Sequence, residues 1–151
     1  MKIPIDIRVR SERIYSDISH RHAGEERPET DDFRVTGTMK TTKGGYRIEF
    51  TEDDDRITTL IDVWDGDTVS VTRLGEMNSH MVFSDGKAYT CICNTGFFPL
   101  QMRVRTKSLR NTLSFDGGRL DIDFTVEIVG NLAERNKLSF SVSPDASIIK
   151  S

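Results

Sequence analysis

The sequence predicts an all-β protein, folded as an antiparallel, mostly up-and-down closed barrel of about eight to ten strands with little helix. Apolar and polar residues alternate with a period of two in run after run, as in strands that bury one face. Short turn-forming segments separate the runs and leave no room for the crossovers of a parallel sheet. No segment shows the spacing of a long amphipathic helix. Closure is favoured over a sandwich because it removes exposed strand edges.

The first third of the chain contains three predicted strands and one polar loop. Ile3 to Val9 alternates apolar residues with proline and charged residues, and Phe33 to Met39 and Tyr46 to Phe50 repeat the pattern. Lys43-Gly44-Gly45 is typical of a hairpin turn, so the second and third runs should pair. Ser19 to Asp32 is crowded with charged residues and histidines, which predicts an exposed loop.

The next hairpin has the most specific local signal. Ile57 to Trp64 and Val69 to Leu74 flank Asp65-Gly66-Asp67, and an Asp-Gly pair readily adopts the positive φ values of a tight turn. These two runs should therefore pair directly.

The remaining strands follow the same alternation. They are predicted at His80 to Phe83, Ala88 to Cys93, Phe98 to Thr106, Leu120 to Ile128 and Leu138 to Val142. Turn residues occur at Ser84 to Lys87 and at Asp116 to Gly118. Asn131 to Arg135 is the one segment for which we predict a helical turn.

Length, composition and charge predict one domain spanning residues 1–151. The hydrophobic share of 36% and charged share of 30% are ordinary globular usage, and the net charge of −3 gives no overall attraction for nucleic acid. No secretion signal is visible at the start, and no apolar run reaches the roughly 20 residues of a membrane span. Cys91 and Cys93, two residues apart on one strand, are poorly placed for a disulfide. We therefore predict a cytoplasmic protein.

Short motifs occur along most of the chain, at Gly45 to Glu52, Thr72 to Gly75, Met81 to Phe83, Tyr89, Thr95 to Phe98, Val104 to Thr106, Gly118 to Phe124 and Asn136 to Leu138. In this order and spacing they resemble the YwiB-like family of bacterial proteins, a family of unknown function. One departure is that Gly96 directly follows Thr95, where the family's turn has two intervening residues. The resemblance implies a calycin-like barrel, and it brings no established activity and no catalytic residue.

Histidines and cysteines raise a metal hypothesis that their spacing does not support. His20 with His22 and Cys91 with Cys93 offer two ligands each, but zinc modules use Cys-x-x-Cys pairs. Glu52 to Asp55 lacks the ligand spacing of a calcium loop and is interpreted as a solvated hairpin tip. No nucleophile elbow or phosphate loop occurs. We therefore predict no metal, no cofactor and no catalytic residue.

Arg73, Tyr89 and Thr106 are the candidate ligand contacts. Arg73 continues the inward face of Val69 and Val71, where a guanidinium can hold a carboxylate or phosphate. Because a buried guanidinium needs a partner, we expect a carboxylate neighbour or solvent beside it. Tyr89 and Thr106 are further polar groups facing an apolar lumen. The leading hypothesis is a small-ligand-binding module whose interior or open end receives the ligand.

The outer wall supports a second hypothesis. Arg103, Arg105, Lys107 and Arg110 form a basic stripe, flanked by Phe97 and Gln101, that could bind RNA through phosphate contacts and base stacking. A solvated barrel exterior would produce the same alternation. The outer face could instead engage a protein partner or a second copy of the chain, so a monomer and a homodimer both stay open. A third hypothesis is an enzyme of uncharacterised activity.

Overall fold

The computed structural model describes residues 2–15, 29–52, 54, 56–65, 67–94, 99–128 and 132–144, and within these ranges no residue is helical. The strands are β1 (Lys2–Tyr15), β2 (Glu29–Thr42), β3 (Gly45–Glu52), β4 (Ile57–Trp64), β5 (Thr68–Leu74), β6 (Asn78–Ser84), β7 (Ala88–Asn94), β8 (Pro99–Asn111), β9 (Gly118–Ile128) and β10 (Leu132–Pro144). The all-β prediction is confirmed.

The strands form a single closed barrel. Neighbours follow the chain order from β2 to β10, and β1 pairs with both β2 and β10 to complete the ring. Every pairing is antiparallel. The prediction of an up-and-down closed antiparallel barrel is therefore confirmed.

Large apolar side chains fill the middle of the lumen. The inward positions of the alternating strands place Phe83 against Phe124, with ring centroids 4.6 Å apart, and Phe50 against Phe140 at 6.4 Å. Phe83 and Met39 are fully buried. Each such side chain contributes roughly 1.5–3 kcal/mol by leaving water, so this packed layer is the main source of stability.

The barrel has two ends, which we call the capped end and the mouth. The capped end carries the connections that follow β2, β4, β6 and β8, and the mouth carries those that follow β3 and β5. The β8–β9 connection folds over the capped end, where Leu113 is 7% exposed. Phe115 of this connection packs edge-on against Tyr46 of β3, with centroids 5.4 Å apart. Because β3 lies across the ring from β8 and β9, this contact spans the capped end.

The predicted turns have the backbone geometry that their residues favour. Asp65 has a φ of 52°, and its amide donates to the carbonyl oxygen of Gly44 at 3.0 Å. Gly44 and Gly86 have φ values of 91° and 75°, in the region that glycine adopts without strain. Gly37 of β2 meets a different need, because a Cβ there would collide with the carbonyl oxygen of Glu49 on β3.

Two local predictions were wrong. Leu132 to Arg135 belongs to β10 and is not a helical turn, because its backbone pairs with β9 on one side and its end with β1 on the other. The loop predicted for Ser19 to Asp32 ends earlier, since β2 begins at Glu29. Cross-strand ion pairs to β1 hold this polar segment extended: Arg10 lies 3.5 Å from Asp32 and Arg13 lies 3.8 Å from Glu29. Residues 16–28 lie outside the described residues.

The seam between β6 and β7 is the least regular part of the ring. These strands pair in register only at Asn78 with Asn94 and at Ser79 with Cys93, next to the mouth. Towards the capped end, the turn after β6 lies against β8 instead. There the amide of Ser84 donates to the hydroxyl of Thr106 at 3.2 Å. This hydrogen bond joins β6 to β8 in the part of the ring where β6 and β7 are not paired in register.

Candidate functional site

Arg73 lies on the inner wall at the mouth, as its phase with Val69 and Val71 predicts. Its register partners on the neighbouring strands are Thr59 of β4 and Ser79 of β6. The Arg73 side chain remains 47% exposed. It is therefore an inward-facing cation that solvent, or a ligand, can reach.

Glu52 is the carboxylate neighbour expected beside Arg73. Nη2 of Arg73 donates to Oε1 of Glu52 at 3.0 Å, and the Glu52 side chain is only 25% exposed. The interpretation of Glu52 to Asp55 as a solvated tip is therefore wrong for Glu52, which ends β3 inside the mouth. It holds for Asp54, which is exposed at a φ of 53°, whereas Asp53 and Asp55 lie outside the described residues.

Thr59 brings a buried, unsatisfied hydroxyl to the same wall. The residue is 3% exposed, and its Oγ1 has no hydrogen-bond partner among the described residues. Leaving a buried hydroxyl unpaired costs about 1–3 kcal/mol. Thr59 is the register partner of Arg73, so the two residues are neighbours on the inner wall of β4 and β5.

A cavity of about 350 Å³ opens at the mouth, which is within the size range of small-ligand sites. Ile57 and Met77 give it an apolar side, and Met77 is among the most exposed large apolar residues. Its polar lining consists of Arg56, Arg73, Glu76, Ser79 and Cys93. The combination of one apolar side and a few convergent polar groups suits a small amphipathic molecule.

Tyr89 and Thr106 lie away from this cavity. Both face inward, but Tyr89 is four residues before Cys93 on β7, a distance of roughly 13 Å along the strand towards the capped end. Thr106 is 1% exposed, and its hydroxyl accepts a hydrogen bond from the amide of Ser84. The structure therefore does not bring the three predicted contacts together, and Arg73 alone lies in the mouth. A ligand contact by Tyr89 or Thr106 stays a prediction.

The four cations of the predicted stripe lie on β8. Arg103, Arg105, Lys107 and Arg110 are all exposed, and Lys107 is the extra residue of a bulge between Thr106 and Ser108. Within the described ranges, none of the four has an ion-pair partner.

The residues weighed as metal ligands fall into two groups. His20 and His22 lie outside the described residues. Cys91 and Cys93 both face inward from β7 as buried free thiols. In the part of the chain that the structure describes, no cluster of three or more histidine, cysteine, aspartate or glutamate side chains has a geometry that could hold a metal ion.

Comparisons with known proteins identify the family. Residues 16–140 match the family described as "Domain of unknown function (DUF1934)". The chain belongs to this family. The fold of this DUF1934 member is similar to the crystal structure of the ywiB protein from Bacillus subtilis, with a TM-score of 0.76 and 21% identity over 95% of this chain and 92% of that one. At this identity the likeness shows the fold alone. A search of curated proteins found no match. Among the described residues, none forms a helix of the length and apolarity that a bilayer span needs.

Sequence reasoning did not identify two neighbours of Arg73 in this DUF1934 barrel. Glu52 is its hydrogen-bond partner, and Thr59 is its register partner on β4. Thr59 carried a usable signal, because it occupies an inward position between Ile57 and Ile61 where the pattern calls for an apolar residue. Glu52 also continues the inward phase of Phe50. Glu52 also begins an acidic run, and such runs usually mark solvated turns, so its inward position was not recognised. A polar residue in an apolar phase is therefore a signal worth following, although Thr106 shows the same signal towards the capped end.

Proposed function

We propose that the protein binds a small amphipathic carboxylate at the mouth of the barrel. Arg73, which lines the cavity and is half-exposed, is the contact for the carboxylate. Ile57 and Met77 cover the apolar part of the ligand. Small ligand-carrying barrels such as lipocalins also use a barrel interior reached from one end.

The observation that carries this proposal is the incompletely used guanidinium of Arg73 in the lining of the cavity. A guanidinium has five N–H donors, and Arg73 gives one hydrogen bond to a carboxylate, that of Glu52. A cation that lines the cavity half-exposed has spare hydrogen-bonding capacity for a ligand. A ligand would recover the free energy that the empty site forgoes.

The charges of the mouth favour a monoanion over a phosphate. Glu52 already occupies one side of Arg73, and Glu76 adds a second carboxylate at the rim. Arg56 and Arg73 only balance these two charges. A dianion would therefore bring a second charge that no cation of the mouth is left to neutralise, whereas a single carboxylate can share Arg73 with Glu52 or take its place. We also propose a cytoplasmic location, which the two free thiols of Cys91 and Cys93 support.

A calorimetric titration with hexanoate tests the proposal, with hexanol as the neutral control of equal chain length. We expect hexanoate to bind and hexanol to bind at least about tenfold more weakly, since hydrogen bonds to charged groups contribute about 1.5–3 kcal/mol. Arg73→Gln should weaken hexanoate binding roughly 10- to 100-fold. The matched control is Arg119→Gln, which removes an outer-wall arginine bonded to Asp121 at 2.9 Å.

Three results would contradict the proposal. Equal affinities for hexanoate and hexanol would show that no cation recognises the ligand. Equal losses in Arg73→Gln and Arg119→Gln would show that any binding depends on overall charge and not on the mouth. Failure of both compounds to bind the intact protein at millimolar concentration would likewise reject a carboxylate site.

A further inference from the structure

We propose that the outer wall of β8, β9 and β10 binds the phosphate backbone of single-stranded nucleic acid. The surface consists of Arg105, Lys107, Arg110, Arg119, Arg135 and Lys137, which we call the basic patch. This interaction is independent of the ligand proposed for the mouth, because the patch faces outward and shares no residue with that cavity.

The first support is that the cations of this wall divide into paired and unpaired ones. Arg119 is bonded to Asp121 at 2.9 Å, and Arg135 to Asp123 at 2.9 Å. Arg105, Lys107, Arg110 and Lys137 are exposed and, among the described residues, have no ion-pair partner. Solvated surfaces usually mix both signs, so a group of unpaired cations on one wall leaves a local positive field.

The second support is that arginines of the wall already neutralise its aspartates. Asp123 lies between strands that carry Arg135, Lys137 and Lys107. The Arg135 hydrogen bond, followed by the charges of Arg135, Lys137 and Lys107, holds the pKa of Asp123 below its usual range against the opposing effect of burial. Three cations around one carboxylate leave a net positive charge. Asp121 is likewise bonded to Arg119, so neither acid cancels the unpaired lysines and arginines.

The shape and limits of the patch suit a short, extended polyanion. Its cations follow β8 and continue across β9 to β10. Alternate residues of a strand are about 6.7 Å apart, which allows successive side chains to meet successive phosphates of an extended chain. The patch ends where Glu127 lies opposite Arg103 and where Glu12 lies opposite Lys137.

The side chains of this wall also predict an interaction without base stacking. The outward positions of β8, β9 and β10 that the structure describes carry no aromatic side chain on which a base could stack. Recognition should therefore depend on phosphates and not on bases. We expect binding that is independent of sequence, similar for RNA and DNA single strands, and steeply dependent on salt.

Fluorescence anisotropy with labelled oligouridylate and oligothymidylate of about twelve nucleotides tests this inference. The test variant is Arg105→Gln/Lys107→Gln/Lys137→Gln. The matched control, Lys2→Gln/Lys40→Gln/Lys43→Gln, removes the same charge from exposed lysines near the capped end. Over about 50 to 200 mM salt, the test variant should bind at least tenfold more weakly than the control. Its slope of log affinity against log salt should be shallower by about 2, since each lost phosphate contact removes about 0.7.

Three outcomes would overturn the inference. The intact protein could fail to bind either oligonucleotide at the lowest salt, or the two triple variants could lose affinity equally. Binding to vesicles of anionic phosphatidylserine, with none to either oligonucleotide, would assign the patch to a membrane surface instead. Arg73→Gln should leave oligonucleotide binding unchanged, so that failure of this inference is distinguishable from failure of the ligand site.

Discussion

The capped end and the mouth are built from the same alternating strands but differ in what the last inward positions hold. At the capped end these positions are apolar or satisfied: Leu113 is buried, Phe115 packs on Tyr46, and the Thr106 hydroxyl accepts a backbone amide. At the mouth they include polar residues beside Ile57. Thr59 there has no hydrogen-bond partner among the described residues, and Arg73 uses little of its hydrogen-bonding capacity.

Under the proposed function, the capped end contributes stability and the mouth contributes binding. Apolar inward residues exclude water and hold the ring closed where the β6–β7 ladder is interrupted. Polar inward residues stabilise the fold less, but they leave hydrogen-bonding groups free for a ligand. Substitutions at the two ends should therefore have separable effects on unfolding and on binding.

The largest expected effect comes from the packed layer that adjoins the capped end. Phe83→Ala removes a fully buried ring that touches Phe124, and it should lower the free energy of unfolding by about 3–5 kcal/mol. Urea denaturation measures this loss. Ile92→Ala on the neighbouring strand is the control, because Ile92 is 62% exposed and should change stability by less than about 0.5 kcal/mol. Similar losses in both variants would refute a core centred on Phe83.

Much of this layer could be predicted from the sequence, as could the inward position of Arg73, whereas the carboxylate that pairs with Arg73 could not. Alternation alone places Phe83, Phe124 and Met39 inside, because a period of two fixes which face each residue takes. The partner of Arg73 could not be identified in the same way, since which strands lie side by side at the mouth depends on the register of the whole ring. The helical turn predicted at Asn131 failed for the related reason that strand pairing overrode local preference.

The cap itself is tested by the aromatic contact across the barrel. Phe115→Ala should cost roughly 2 kcal/mol, because it removes a partly buried ring and its edge-on contact with Tyr46. A double-mutant cycle with Tyr46→Ala, followed by urea denaturation, should give a coupling of about 0.5–1.5 kcal/mol. Additive losses would mean that the two rings do not act together, and that the connection after β8 does not cap the barrel.

Two buried threonines compare the ends directly. Thr106→Val leaves the Ser84 amide without its acceptor and should destabilise the protein by roughly 1–2 kcal/mol. Thr59→Val replaces an unpaired hydroxyl with a methyl group and should leave stability unchanged or raise it by up to about 1 kcal/mol. Thermal and urea denaturation measure both variants. Destabilisation by Thr59→Val equal to that by Thr106→Val would show that the Thr59 hydroxyl is already satisfied.

The ion pair of Arg135 with Asp123 on the outer wall, away from both ends, should contribute least to the free energy of unfolding. The Arg135 hydrogen bond lowers the pKa of Asp123 below its ordinary value of 3.8. The stabilisation is therefore fully present above the unfolded-state pKa and is lost as the pH falls through the lower folded-state value. Urea denaturation should show that the free energy of unfolding of Asp123→Asn is lower than that of the wild type by about 0.2–1 kcal/mol at neutral pH. This difference in the free energy of unfolding should become smaller below pH 3.8. A gap that widened in acid would contradict this sign. Arg135→Gln breaks the same ion pair and should reproduce the narrowing.

The measurement that tests the division between the two ends most directly is an amide NMR titration of the intact protein with hexanoate. We predict that the resonances of Ile57, Arg73, Ser79 and Cys93 at the mouth shift in a saturable way, while those of Thr106 and Leu113 at the capped end stay unchanged. The mouth shifts should be lost in Arg73→Gln and kept in Arg119→Gln. Saturable shifts at the capped end, or no shifts at the mouth at millimolar hexanoate, would contradict the assignment of binding to the polar end of the barrel.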